Sequence, residues 1–301
     1  MSLQVAIIGA GISGASCAST LRSRGANVSV FDKGRSPGGR MSCRRADSGH
    51  RFDHGVPAFE GQDSHFIRAA TDAVEAGILT RHGEMFGGVG AMNAWCKHLL
   101  GGIEVISSTR IIAAERDQTW QLTGDTGATF GPFNTVVLAV PPKNAIEILG
   151  SLDQPLSAQI DTIKMMPRWV AMLGFDRKFN ALSDHLRFDD FAIHRSMSNT
   201  VGDALVVHAD EAWSLRNLER PAAEVGGELA RVARIAIVQA WVEPVVVMAH
   251  RWRYAFADHP AGVPFFESSN NLFVCGDWCL GRSVESGYLS GSAVADRLCA
   301  H

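Results

Sequence analysis

The chain opens on Gln4-Val5-Ala6-Ile7-Ile8-Gly9-Ala10-Gly11-Ile12-Ser13-Gly14, a short apolar run that feeds directly into G-x-G-x-x-G. Few local patterns constrain a fold more tightly. Gly9 permits the tight turn out of a strand, Gly11 lets backbone approach a pyrophosphate, and Gly14 lets the next helix pack on the strand. The pyrophosphate then rests on the free N–H groups and positive end of that helix, which starts around Ile12 and Ser13. Val28-Ser29-Val30-Phe31 reads as a second strand and ends in Asp32, at the distance expected of a ribose-contacting acid, with Lys33 beside it. Residues 4–9, 13–24 and 27–32 therefore form a βαβ unit, which demands a right-handed crossover and a parallel sheet. The pattern implies a dinucleotide. NAD and FAD proteins share it, and Asp32 does not separate them.

A protein of 301 residues accommodates one or two domains. The net charge of -3 gives no reason to invoke nucleic acid, and acids follow the basic group Arg40, Arg44, Arg45 and Arg51 closely. No apolar stretch reaches membrane-spanning length; the longest, Ile235 to Met248, is broken by Gln239, Glu243 and Pro244. With no basic region ahead of the first apolar run, a soluble, cytoplasmic protein is the expectation, with no membrane partner. The six cysteines have no disulfide-framework spacing, and Cys275 and Cys279 have no second pair at zinc-like spacing. The eleven histidines show no H-x-x-x-H on a helix, so no metal is expected.

Further along, Asp63 to Gly77 has helical spacing, Gly83 to Gly90 reads as a loop, and Ala91 to Leu100 as a helix. Thr135 to Val140 is a β-branched apolar run stopped by Pro141-Pro142, the pattern of a central parallel strand. Arg220 to Ala240 predicts a helix stopped by Pro244, with Val225, Leu229, Val232, Ala236 and Ala240 on one face. Val245 to Ala249 predicts a strand leading into His250 to Tyr254. Asn271 to Cys275 predicts another, and a helix from about Ser286 closes the chain. The fold class expected is α/β: a Rossmann-like dinucleotide domain (1–60, 86–150 and 265–301) with an α+β insert (61–85 and 151–264).

Three features select FAD. Gly38-Gly39-Arg40 follows the ribose acid; the glycines allow a close backbone approach and Arg40 offers a fork to a pyrophosphate. Such a G-G-R triplet, met at an arbitrary position, is more often a solvated turn, and its place after the ribose acid is what raises its meaning. The strand exit Ala139-Val140-Pro141-Pro142 leaves backbone at the cofactor edge. Finally, Gly276-Asp277 ends a strand ahead of Val284-Glu285-Ser286, where a helix start can face a flavin carbonyl that gains negative charge on reduction.

These residues, in this order, resemble the flavin-containing amine oxidase superfamily, and within it the renalase-like members, especially the short bacterial form. Phe31-Asp32-Lys33, Gly38-Gly39-Arg40-Met41-Ser42, Asp53-His54-Gly55, Val206-Val207-His208-Ala209, His250-Arg251-Trp252-Arg253-Tyr254-Ala255 and Cys275-Gly276-Asp277-Trp278-Cys279-Leu280 carry the resemblance over nearly the whole sequence. It implies non-covalent FAD in a para-hydroxybenzoate-hydroxylase-like or amine-oxidase-like fold. The FAD residues implied are Gly9, Gly11, Ile12, Ser13, Gly14, Asp32, Lys33, Gly39, Arg40, Met41, Gly55, Val56, Ile111, Val140, Pro141, Gly276, Asp277, Val284 and Glu285. Trp169, His208 and Trp252 are pocket candidates by position. The activity implied is hydride transfer from a dihydro-NAD(P) isomer to FAD, with reoxidation by oxygen to hydrogen peroxide. Three stretches depart from the family pattern: Gly55 to Glu60, Thr80 to Gly90, and Ser196-Met197-Ser198-Asn199. They leave two alternatives open, an amine oxidase or desaturase-like dehydrogenase with another substrate, and a non-catalytic FAD-binding protein.

Overall fold

The computed structural model describes residues 2–150, 152–179, 185–188, 190–196, 199, 201–237 and 241–300. Ser151, Met197, Ser198, Gln239 and Ala240, named above, lie outside them. Gln4–Ile8 is the first strand, Ile12–Ser23 the first helix and Asn27–Phe31 the second strand, paired in parallel with the first from Gln4↔Asn27 to Ile8↔Phe31. The sheet they found runs Phe266–Ser268, Leu272–Val274, Thr135–Leu138, Gln4–Ile8, Asn27–Phe31, Glu104–Ile106. Only the Phe266–Ser268 edge is antiparallel. The order reverses between the Gln4–Ile8 and Thr135–Leu138 strands, so Gly9 and Ala139 lie side by side at the switch point where open α/β sheets bind ligands.

Strand alternation sorts this sheet's side chains into two cores. Val5, Ile7, Val30 and Val137 face a layer holding the first helix, Trp95 and the C-terminal helix Val284–Cys299. Ala6, Ile8, Val136 and Leu138 face the opposite layer, with Trp120, Ile148, Leu149 and Trp278. The C-terminal helix crosses the first at close range. A Cβ on Gly291 would lie 1.9 Å from the Ser13 carbonyl oxygen, and the Ser16 hydroxyl donates to the Tyr288 carbonyl at 2.8 Å. The Val284–Cys299 helix thus meets the Ile12–Ser23 helix beside the glycine loop.

A second sheet is antiparallel throughout, in the order His185–Phe188, Phe191–Arg195, Ala204–Ala209, Met165–Gly174, Val246–Ala257. Its back face packs Ala171, Leu173, Leu205 and Val207 against Val225, Leu229 and Ala233 of the helix Ala222–Ala236. Each buried valine or leucine side chain there contributes about 1.5–3 kcal/mol by leaving water. Its front face presents Val170, Met172, Val206 and Trp252 to Phe52 of the small hairpin Arg44–Arg45/Arg51–Phe52. Among the described residues no helix is long and apolar enough to cross a membrane.

Several expectations change. Gly83 to Gly90 is the turn and second strand of a hairpin, Leu79–His82 with Met85–Gly88, closed by Gly83 at φ 61. That hairpin straddles the 85/86 boundary expected between domains. Phe66, Ala70, Ala73 and Leu79 also pack into the first sheet's core with Trp95, so segment 61–85 is built onto that layer rather than onto the insert. The helix expected over Ala91 to Leu100 is confined to Ala94–Leu99. The long helix starts after Pro221, because proline lacks the N–H and fixes φ at a first-turn border, and it stops at Ala236, with Ile237 as its C-cap. The strand expected over Val245 to Ala249 does not stop there but continues as twelve residues to Ala257. The last helix begins at Val284, not Ser286: Ser283 is its cap, its hydroxyl accepting from the Ser286 N–H at 3.0 Å.

Candidate active site

The three glycines of the opening motif do different physical work. Gly9 sits at φ +110, and a Cβ there would lie 2.3 Å from the Ala139 carbonyl oxygen. A Cβ on Gly14 would lie 1.9 Å from the Gly9 carbonyl oxygen. Gly11 is the opposite case: a Cβ would meet nothing within 4 Å. It is the N-cap of the first helix and supplies no side-chain cap, so the first-turn N–H groups face open space. Across that space a Cβ on Gly39 would touch only the Gly11 Cα, at 3.4 Å. A trough bounded by two glycine backbones and a helix N-terminus suits a pyrophosphate, as the dinucleotide reading requires.

Asp32 stands at the next strand end. Its Oδ2 accepts from the Ala10 N–H at 2.7 Å and its Oδ1 from the Gly34 N–H at 2.6 Å, which fixes the carboxylate beside the trough. The segment leading to Ile111 runs along this turn, with the Ser108 and Thr109 N–H groups donating to the Gly34 and Asp32 carbonyls. The Ile111 and Met41 side chains are buried in the cores, so only their backbones border the site, and Lys33 is exposed. The Val140 carbonyl accepts from the Trp278 indole N–H at 3.1 Å, and Pro141 caps the helix Pro142–Leu149.

Arg40 differs from expectation. Its fork is not open towards a pyrophosphate but closed on Asp277, Nη1 to Oδ2 at 2.7 Å and Nη2 to Oδ1 at 2.5 Å, and Nη1 also donates to the Ala255 carbonyl. Burial works against the Arg40 charge, yet the Asp277 carboxylate and its hydrogen bonds outweigh it and hold the pKa above its usual value. The pair ties the G-G-R loop, the Gly276-Asp277 turn and the second sheet together. Beside it, a Cβ on Gly55 would lie 2.0 Å from the Arg40 carbonyl oxygen and 3.2 Å from the Trp252 ring. Gly55 thus brings the segment after the hairpin against that ring, while half-buried Val56 turns to the first sheet's core. Gly276 approaches the Trp278 ring, where a Cβ would lie 2.2 Å from Nε1. Buried Val284 opens the last helix, and Glu285 accepts from the Gln62 and Asp63 N–H groups at 2.6 Å each.

Of the three pocket candidates, Trp252 and His208 lie on the front face and Trp169 does not. Alternation turns Trp169 to the back face, where its indole donates to the Asn217 carbonyl at 2.9 Å under the helices. On the front face Trp252 stacks on His54, with ring centres 4.9 Å apart and 27° between planes, and meets His250 edge-on at 4.3 Å. Val170 pairs with His208 on one side and His250 on the other, which brings both histidines to the same face. His194 stands 5.3 Å from His208, and His185 donates to or accepts from His194 between Nδ1 atoms at 3.1 Å. Sequence spacing could not show this row, because its members come from four strands and a loop. The two-residue step from His250 to Trp252 is the one local sign that both share a face.

His54, His194, His208 and His250 all hold their protons more weakly than a free imidazole and are neutral at pH 7. Burial, then the neighbouring His250, lowers the His54 pKa to about 4; burial, then His185, does the same for His194. Burial pushes His208 well down and His250 down. Asp53, buried and accepting from the Met92 N–H at 2.9 Å, is raised to about 6 by desolvation. Four buried polar atoms around this face have no hydrogen-bond partner: His54 Nδ1, His208 Nε2, Arg168 Nε and Ser196 Oγ. Native interiors leave few such groups; Ser196 and Arg168 stand at opposite ends of the Met165–Gly174 strand, while His54 and His208 belong to the histidine row, where a ligand can supply the missing partners. Cys279 is buried, with its thiol pushed up to about 12, and half-buried Cys43 up to about 11, so both are protonated and inert.

A family model of NAD(P)-binding Rossmann-like domains matches residues 7–72, and one of flavin containing amine oxidoreductases matches residues 109–299, well over half the sequence. The chain belongs to the flavin containing amine oxidoreductase family. Mouse renalase (Mus musculus) is 22% identical over 292 residues, covering 84% of each protein. Cyclohexylamine oxidase from Brevibacterium oxydans superposes with a TM-score of 0.73 at 14% identity, over 99% of this protein and 100% of that one. A redesigned putrescine oxidase gives 0.71 at 13% identity, over 99% of each. The protein is thus an FAD-dependent oxidoreductase of the flavin amine oxidase type, and its FAD is held non-covalently.

Proposed function

We propose that this flavin amine oxidase family member is a renalase-like oxidase that takes hydride from a flat reduced heterocycle of the dihydro-NAD(P) isomer type. Bound FAD would supply the two-electron acceptor for that hydride, with oxygen and a proton taking the electrons on as hydrogen peroxide. The observation that carries this reading is the front face of the second sheet. It offers an aromatic platform, Trp252 on His54, and a row of neutral imidazoles. Hydride transfer needs a ring held in place and water excluded, more than it needs an acid or base. Trp252 stacks the ring, and His54 and His208 offer buried nitrogen atoms that still lack partners. Arg44 and Arg168 border the same face, which disfavours an ammonium ion as the approaching substrate.

The proposed cofactor set follows the trough: Gly9, Gly11, Ile12, Ser13 and Gly14 for the pyrophosphate, Asp32 for the ribose, and Gly39, Gly55, Val140, Gly276, Asp277 and Val284 along its length. Arg40 serves as the clamp on Asp277. Anaerobic mixing with the dihydro-NAD(P) isomers tests the reading. The flavin absorbance should bleach with an isomer and stay unchanged with cyclohexylamine or putrescine. Bleaching by the amines alone would replace this substrate assignment with amine oxidation.

A further inference from the structure

A cavity of about 310 Å³ lies at the outer edge of the Val246–Ala257 strand, where Arg44, His54 and His250 face Ala222, Ala223 and Gly226 of the long helix. We propose that it is an oxyanion subsite, and that the substrate of this enzyme carries a carboxylate or phosphate group seated there. The inference rests on the reading that substrate lies on the front face of the second sheet.

Four observations converge. Arg44 is exposed on its hairpin and makes no ion pair among the described residues. It lines the cavity together with His54 and His250, and its charge disfavours protonation of both rings. His54 is 5% exposed and its Nδ1 has no hydrogen-bond partner. The helix Ala222–Ala236 is fifteen residues long and begins after Pro221, which gives no side-chain cap; the Glu224 and Val225 N–H groups turn back to the Pro221 carbonyl, which leaves those of Ala222 and Ala223, two residues that line the cavity, at its positive end. The acid of that turn, Glu224, is directed to Arg220 at 3.7 Å, and no carboxylate lines the cavity. Gly226 lets the helix sit this close to the strand, since a Cβ there would meet Val247 Cγ1 at 3.4 Å.

One guanidinium, a helix N-terminus and neutral imidazole donors make a complement for a compact oxyanion. They also exclude a cation. The cavity shares His54 and His250 with the stacked Trp252 platform, so one molecule can place a flat ring on the platform and an acidic group in the cavity.

The test is calorimetric titration of the FAD-loaded enzyme with inorganic phosphate and, separately, acetate at constant ionic strength. Saturable binding of phosphate alone assigns a phosphate ester, of acetate alone a carboxylate, and of both a shared oxyanion site. In each case Arg44→Gln should weaken binding roughly tenfold, the worth of about one charge-assisted hydrogen bond, while Arg45→Gln leaves it unchanged. The proposal is overturned if neither anion binds saturably in the millimolar range, or if Arg44→Gln binds like the wild type, or if Arg45→Gln weakens binding as much. Because no turnover is involved, this outcome is independent of the bleaching experiment. Bleaching can fail while anions still bind, which would reject the dihydronicotinamide reading and keep the subsite.

Discussion

Replacing each glycine of the opening motif by alanine should separate ligand space from folding space. Gly11 has φ -74 and ψ -178, which alanine adopts freely, and its Cβ would meet nothing within 4 Å. Gly11→Ala should therefore leave the apoprotein within about 1 kcal/mol of the parent, because alanine restricts the unfolded state but is a poorer N-cap than glycine, and the two effects oppose each other. The new methyl group would occupy the trough instead. Crowding a packed contact costs about 1–3 kcal/mol, so FAD affinity should fall roughly five- to two-hundredfold. Gly14→Ala forces a Cβ to 1.9 Å from the Gly9 carbonyl oxygen, and Gly9→Ala combines φ +110 with a 2.3 Å contact to Ala139. Those two should destabilise the apoprotein itself. The assays are urea unfolding of the apoprotein and titration with FAD followed by quenching of flavin fluorescence. Wild-type FAD affinity in Gly11→Ala, or an apoprotein as destabilised as Gly14→Ala, would refute the placement of the pyrophosphate.

Asp277→Asn leaves the Arg40 guanidinium without its counter-charge in a site where Arg40 is 29% and Asp277 8% exposed; a loss of about 2–4 kcal/mol in apoprotein urea unfolding is expected. The double variant Arg40→Gln/Asp277→Asn should recover part of it, because no lone charge remains. Stability should also depend on pH through two opposing groups. His54 and His194 are lowered to about 4 from 6.5, so the unfolded state takes up their protons first and stability falls as pH drops from about 6.5 towards 4. Asp53 is raised to about 6 from 3.8, so its contribution is present below 3.8 and lost as pH rises through 6. Asp53→Asn should thus gain about 2–3 kcal/mol at pH 7 and nothing below pH 4, read from urea midpoints across that range.

The βαβ unit, the central strand stopped by Pro141 and the cofactor class were legible from local pattern. Each rests on short-range geometry: a glycine where a turn needs it, period-two burial, a proline that cannot continue a ladder. The strand register agrees with that pattern, placing Gly9 beside Ala139 at the switch point. The substrate face was not legible in the same way. Trp169 and Trp252 are both aromatic residues in strands, and only the pairing Arg168↔Trp252 and Trp169↔Arg251 turns them to opposite faces. Arg40 was legible as a functional arginine, but its fork closes on a residue 237 positions away.

The sequence by itself determined the Rossmann-like unit at the first strand and the flavin family to which the protein belongs. Those facts lie in contiguous residues whose backbone needs are met locally. Only the tertiary structure decided what surrounds the substrate. His54, His194, His208, His250 and Arg44 become neighbours when five antiparallel strands and a hairpin pack face to face. The lowered proton affinities of these histidines exist only because that packing removes water from them.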